Sequence, residues 1–280
     1  MISRARPKDD ETLRRAIYDG EVFLLPKTDA STALVEMASL AQRRELGDDP
    51  RRAHERFTDE ALFGHIGKLR KEIYTQPHAH TLMAEMAASA GFPASETAFD
   101  PARLRVIAHC AFENPRAAPV YYPHRDTWYA HPMSVVTIWT ALDDLDENET
   151  FVFFPERFSR PVNNDSEVFD YDEWVSRGWS LKIGWQDRDA SLLARYPSVV
   201  GESDYGPAQG FKCERGEILL FSGAHFHKTL PQALGRTRFS LDARLVHLGD
   251  HARGLGAPNV DGRSRGSALP DYVQPREQTT

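Results

Sequence analysis

The chain of 280 residues has only two cysteines, Cys110 and Cys213. That is too few for a disulfide framework, and the two lack the spacing of a zinc site, so buried free thiols are expected. It has no uncharged apolar run long enough to cross a bilayer, and Met1 to Arg15 carries charges throughout with no apolar signal core. A cytoplasmic protein with no membrane partner is the expectation. It also lacks a basic excess: 34 Lys and Arg face 41 Asp and Glu, for a net charge of -7. That balance argues against nonspecific nucleic-acid binding and leaves a small-molecule substrate as the expected partner. Lysine is scarce, with 7 of the 34 basic residues, and arginine supplies the rest; no functional conclusion follows from that bias. No internal repeat is visible, and the sequence is silent on oligomeric state.

What is present is enough apolar material, 41% of residues, for one large domain spanning 1–280. Helical spacing predicts a helix over Asp10 to Tyr18, a second over about Ser31 to Glu45, and a third over about Asp59 to Gly91, broken near Pro77. A short strand is predicted at Glu21 to Leu25. From Arg103 the pattern changes to short strands: Leu104 to Ala111, Val120 to Asp126, Met133 to Leu142, Thr150 to Pro155, Glu217 to Ser222, His225 to Leu230 and Thr237 to Val246. The fold class expected is α+β, with a double-stranded β-helix (jelly-roll) core over about 103–248 and flanking N-terminal helices. The polar stretch at about 156–215 reads as an insertion, with one helix near Asp172 to Gly178, and a lid over the site is expected from it. Residues 249–280 read as a flexible tail, a poorly packed extension or a partner contact.

The chemistry-bearing run is Tyr121-Tyr122-Pro123-His124-Arg125-Asp126-Thr127-Trp128, which contains the only His-x-Asp of the chain. On an extended segment His124 and Asp126 share a face while Arg125 points away. With His227 downstream they make two imidazoles and a carboxylate, the set expected at an open ferrous centre. His225 competes with His227, since Arg236 follows it at the same distance that separates His227 from Arg238; only Arg238 has a hydroxyl two residues on, so His227 is preferred. In Arg238 to Leu245, Phe239, Leu241, Ala243 and Leu245 alternate with Arg238, Ser240, Asp242 and Arg244. Turned inward, the polar face would offer a guanidinium fork and a hydroxyl to an anion. Tyr121, Arg125, Trp128, Tyr129 and His131 flank the metal segment as candidate substrate contacts.

The ordered set His124-x-Asp126, His227 and Arg238-x-Ser240 resembles the Fe(II)/2-oxoglutarate-dependent oxygenase superfamily. The run Trp139-Thr140-Ala141-Leu142, followed by Asp143, Asp144 and Asn148, is most similar to its phytanoyl-CoA hydroxylase-like branch. The resemblance covers about Arg103 to Val246 outside the insertion, and departs from the usual pattern at Glu149 and Gln232. It implies a dioxygenase using Fe(II), 2-oxoglutarate and O2. His124, Asp126 and His227 would be both the metal ligands and the catalytic centre, while Arg238, Ser240, Trp139 and Thr229 would be the co-substrate contacts. It also implies hydroxylation, desaturation or ring chemistry on a small metabolite such as a natural product, because Asp126 stands where related halogenases have a small residue. Two other readings stay open: a cupin-like metal-dependent dioxygenase or isomerase without 2-oxoglutarate, and a noncatalytic ligand-binding barrel.

Overall fold

Each long strand divides its side chains between two environments, and that division sets the architecture. The structure, a computed structural model, describes residues 2–114, 117, 120–176, 196–201 and 203–274. In chain order the elements are β1 (Ile2–Ser3), α1 (Asp10–Tyr18), β2 (Val22–Leu25), α2 (Asp29–Leu46), α3 (Asp59–Thr75), α4 (Pro77–Ser89), β3 (Thr97–Phe99), β4 (Arg103–Ile107) and β5 (Val135–Ala141). They continue with β6 (Phe151–Phe153), α5 (Tyr171–Ser176), β7 (Ile218–Ser222), β8 (His227–Thr229), β9 (Arg238–His247) and α6 (Leu248–Ala252), joined in places by short 3-10 turns. Seven strands form one sheet in the order β1-β2-β7-β5-β9-β3, with β4 also paired to β9. Only β1 with β2 is parallel. β6 and β8 form a second, antiparallel pair, so the fold mixes helices with mostly antiparallel sheet.

The first four helices start and stop for local reasons. Asp9 accepts the Thr12 amide at 2.8 Å, Thr28 and Ser31 cap each other's backbone, and Thr58 accepts the Ala61 amide. Pro77 separates α3 from α4: it has no N–H to donate and holds Gln76 extended, at φ -80° and ψ 118°. Leu13, Ile17, Leu34, Leu62, Ile66 and Met83 pack with Leu104, Val106, Val136, Ile138, Ile218, Leu220, Phe239, Leu241, Ala243 and Leu245 in one core. The alternate residues face the other way, where Trp139, Leu219 and Phe221 join Phe151 and Phe153 of the small sheet in a second core. Among the described residues no helix is long and apolar enough to cross a membrane.

Three expectations are corrected. Val120 to Asp126 is not a strand: Pro123 has no amide for a ladder, His124 makes only an isolated bridge to His227, and Asp126–Tyr129 winds into a 3-10 turn. The strand at Leu104 stops at Ile107 rather than Ala111, because Cys110 takes a left-handed conformation at φ 53° and Ala111–Glu113 is a 3-10 turn. The segment from Gly249 is not a loose tail as far as residue 274. Phe99 and Val273 exchange backbone hydrogen bonds, Tyr272 is buried, and Asp261 accepts from Arg125 Nε at 2.9 Å and Trp128 Nε1 at 2.8 Å. Its polar, glycine-rich composition hides one buried carboxylate that two buried donors require; residues 275–280 lie outside the described residues. The helix expected at Asp172 to Gly178 runs over Tyr171–Ser176, and residues 177–195 and 202 of the expected lid also lie outside the described residues. Both cysteines are free; Cys213 is buried and Cys110 half-buried.

Candidate metal centre

His124 and His227 face each other because their backbones exchange both hydrogen bonds, each at 3.0 Å, and their ring centroids lie 4.4 Å apart. Between His124 and Asp126 the chain is extended at Arg125, φ -111° and ψ 142°. This single extended residue sends the guanidinium to the opposite side and brings the carboxylate back towards the imidazoles. The i, i+2 geometry is thus produced without a strand. Ligand atoms of His124, Asp126 and His227 all lie within 4.8 Å of one another. Gly223 makes the close approach possible: its amide donates to Val135 O, its carbonyl accepts from Thr127 N, and a Cβ there would stand 2.4 Å from Val135 Cγ1 and 3.2 Å from Asp126 Cβ.

The hydrogen bonds fix which nitrogen each imidazole presents. His124 Nδ1 lies 2.8 Å from Tyr122 O, and His227 Nδ1 lies 3.0 Å from His225 O. A carbonyl only accepts, so both Nδ1 atoms carry the proton and both Nε2 lone pairs are left for a cation. Burial, with His227 adding to it, pushes the His124 imidazole down to about 3, and burial also lowers His227. Neutral imidazoles beside an ionised carboxylate are what a divalent cation needs.

Asp126 is held from both oxygens. Thr137 of β5 donates its hydroxyl to Oδ2, and Arg244 of β9 donates Nη2 to Oδ1 at 3.0 Å. Burial pushes this carboxyl up, but Arg244, His227, His124 and Thr137 together hold it well below the usual carboxylate range. Arg244 also donates Nη1 to Asp242 at 2.6 Å, and Asp242 takes a bidentate contact from Arg105 at 2.7 and 3.1 Å. An alternating chain Arg105, Asp242, Arg244, Asp126 therefore leads to the metal position. Removing one partner of such a buried pair costs about 3–5 kcal/mol.

The triad opens on a cavity of about 260 Å³ that Arg238, Trp139 and Thr229 also line. Arg238 is buried, donates Nη1 to Thr150 O at 3.1 Å, and has a buried Nε with no partner. Burial pushes its guanidinium down to about 10. No carboxylate among the described residues pairs with it, so the pocket offers an uncompensated buried cation to an anion. Ser240 shares its strand face and its hydroxyl is buried without a partner, but it is not among the residues lining the cavity. His225 lies outside the cavity, its ring 5.4 Å from Phe153 and 4.6 Å from Phe158. Of the expected substrate contacts, Tyr129 and His131 line the cavity. Arg125 and Trp128 are corrected: both are buried and hold Asp261 instead. Tyr121 is not among the lining residues.

Sequence reasoning did not assign Arg244, Asp242, Arg105, Arg103 or Thr137. The alternation on β9 already placed Asp242 and Arg244 on the face of Arg238, and Arg103 and Arg105 alternate with Leu104 and Val106 in the same way. The unread signal was that inward polar residues on two neighbouring strands must neutralise one another.

The fold is similar to several solved structures. EvdO2 from Micromonospora carbonacea var. aurantiaca, complexed with 2-oxoglutarate, is 13% identical over 87% of this chain and 93% of its own, with a TM-score of 0.48. SnoN, described as a non-heme alpha ketoglutarate dependent epimerase from nogalamycin biosynthesis, is 15% identical over 85% and 82%, with a TM-score of 0.42. ThoJ, described as a non-heme monooxygenase, is 14% identical over 83% and 76%, with a TM-score of 0.43. No curated protein sequence matches the chain. The family described as Phytanoyl-CoA dioxygenase (PhyH) matches residues 11–238, a span holding all three members of the triad and reaching Arg238, and the chain belongs to that family.

Proposed function

We propose that the protein is a dioxygenase dependent on Fe(II) and 2-oxoglutarate that uses O2 for hydroxylation, desaturation or ring chemistry on a small metabolite. We read it as one cytoplasmic oxygenase domain whose two sheets form the facing halves of a jelly roll. One observation carries the reading: an open His-Asp-His set shares a cavity with Arg238, a buried guanidinium that has no carboxylate of its own among the described residues. A metal enzyme that takes no anionic ligand would not need that cation.

The residues present fit the group they would hold. His124 and His227 offer Nε2, Asp126 offers a carboxylate fixed by Thr137 and Arg244, and three ligands on one side leave room for co-substrate and oxygen. Bound there, ferrous iron with 2-oxoglutarate supplies oxygen activation coupled to decarboxylation of the co-substrate to succinate. Arg238 would take the distal carboxylate, with Trp139 and Thr229 flanking it, while Ser240 lies on the same strand face but off the cavity wall. Phe151, Phe153 and Phe221 surround His227 with rings and keep bulk water from that side.

Anaerobic calorimetry of the iron-loaded protein tests the assignment. Wild type should bind 2-oxoglutarate and, with oxygen, release succinate. Arg238→Met should keep iron and bind 2-oxoglutarate roughly ten- to a hundredfold more weakly. Unchanged co-substrate dependence in that variant would move the reading to a metal enzyme that does not use 2-oxoglutarate.

A further inference from the structure

Glu149 closes the 3-10 turn Glu147–Glu149 just ahead of β6, and its side chain is buried although it is not among the residues lining the cavity. Its two oxygens accept Arg236 Nε and Nη2, each at 2.7 Å, the Asp146 amide at 3.1 Å, and Arg51 Nη2. Burial pushes this carboxyl up, but Arg236, the Asp146 amide and Arg51 bring it below its ordinary value. A buried carboxylate satisfied by so many donors stays charged and well ordered.

What these contacts share is Arg238. Arg236 stands two residues before it, on the way into β9, and Thr150, the residue after Glu149, accepts Arg238 Nη1 on its carbonyl at 3.1 Å. The connections form a closed ring: from Arg238 back along the chain to Arg236, across the ion pair to Glu149, one residue on to Thr150 O, and back to the Arg238 guanidinium. Arg51 braces the ring from the 3-10 turn Pro50–Glu55, where its carbonyl accepts Thr237 N at 2.7 Å and its Nε donates to Thr237 O at 3.2 Å. Both the root and the tip of the Arg238 side chain are therefore tied to one carboxylate. Since Arg238 Nε is buried without a partner, the direction of the fork rests on Thr150 O. A group displaced by about 1 Å can lose roughly a hundredfold in effect.

We infer that Glu149 is a positioning residue for the co-substrate: through Arg236 and Thr150 it aims the Arg238 guanidinium, and so sets the preference for a dicarboxylic over a monocarboxylic 2-oxo acid. The inference rests on the iron and 2-oxoglutarate reading. Glu149 touches neither ligand, and its effect is confined to the end of the co-substrate that Arg238 holds.

The test uses full-length protein loaded anaerobically with iron. Calorimetry compares 2-oxoglutarate with 2-oxopentanoate, which has the same 2-oxo acid head and chain but no distal carboxylate, and the readout is the ratio of the two affinities. Glu149→Gln should lower that ratio roughly tenfold by weakening 2-oxoglutarate alone, with 2-oxopentanoate and iron binding as in wild type. Glu149→Asp should recover part of the loss. Arg236→Gln, at a half-exposed side chain, should lower the ratio less, and it supplies the readout if Glu149→Gln does not fold. Leu241→Ala, which weakens the apolar core, should leave the ratio at its wild-type value, so that aim is separated from stability. An unchanged ratio in the folded Glu149 and Arg236 variants, an equal loss for both ligands, or the same fall in Leu241→Ala overturns this inference and leaves the earlier reading intact. Wild type that takes iron but does not prefer 2-oxoglutarate overturns the earlier reading and this one with it.

Discussion

The two faces of β9 carry unlike chemistry on a single strand. Phe239, Leu241, Ala243 and Leu245 enter the apolar layer beneath the helices, while Arg238, Asp242 and Arg244 line the cavity with the metal triad. All ten residues from Arg238 to His247 are buried, so the strand is not the half-wet element that alternation normally implies. One face is closed by packing, and the other is closed by ion pairs that need a ligand to be complete. Activity should reside on the second face alone, whereas stability draws on both, and substitutions can separate the two contributions.

The largest effect is expected on the polar side at the metal. Asp126→Ala should abolish iron binding and succinate formation and, by taking one partner from the buried Arg244, lower unfolding free energy by about 3–5 kcal/mol, read by metal analysis and denaturant titration; retention of stoichiometric iron would break the division. On the apolar side, Leu241→Ala should lower unfolding free energy by about 2–5 kcal/mol in denaturant titration. Its folded fraction should keep wild-type kcat. Arg244→Met is intermediate: it removes the guanidinium that orients Asp126, and iron affinity should fall roughly ten- to a hundredfold. Arg244→Lys should recover some of that loss, which a purely volume-filling role would not predict. The smallest effect sharpens the contrast. Ser240→Ala deletes a buried hydroxyl without a partner, so the protein should gain about 1 kcal/mol in thermal unfolding.

Periodicity made much of this legible. The boundaries of α1 agree with the predicted helix, and the break at Pro77 divides α3 from α4. The predicted strands from Met133 onward each overlap an observed one, shortened at the ends except that β9 runs one residue further, to His247. The approach to His124 was misread, because an aromatic and apolar run looks like a strand whether or not a partner is available, and only three dimensions show that His124 has a one-residue bridge. The C-terminal segment was misread for a related reason. Asp261 is one acidic residue in a polar stretch, and nothing local distinguishes a solvated aspartate from one that neutralises Arg125 far away in sequence. Arg103 and Arg105 were passed over because their partners, Asp100 and Asp242, are identified by pairing between strands rather than by a motif.

The clasp formed by Asp261 has a consequence for how the centre comes into being. Arg125 and Trp128 bracket a metal ligand, yet their acceptor comes after every other residue of the centre in the chain. During synthesis the histidines and carboxylate emerge well before the group that locks their turn, so the chain passes through a stage in which a guanidinium meant for the interior has no counter-charge. A protease cut just ahead of Asp261 is therefore expected to weaken iron binding without touching His124, Asp126 or His227, which metal analysis of the clipped protein checks.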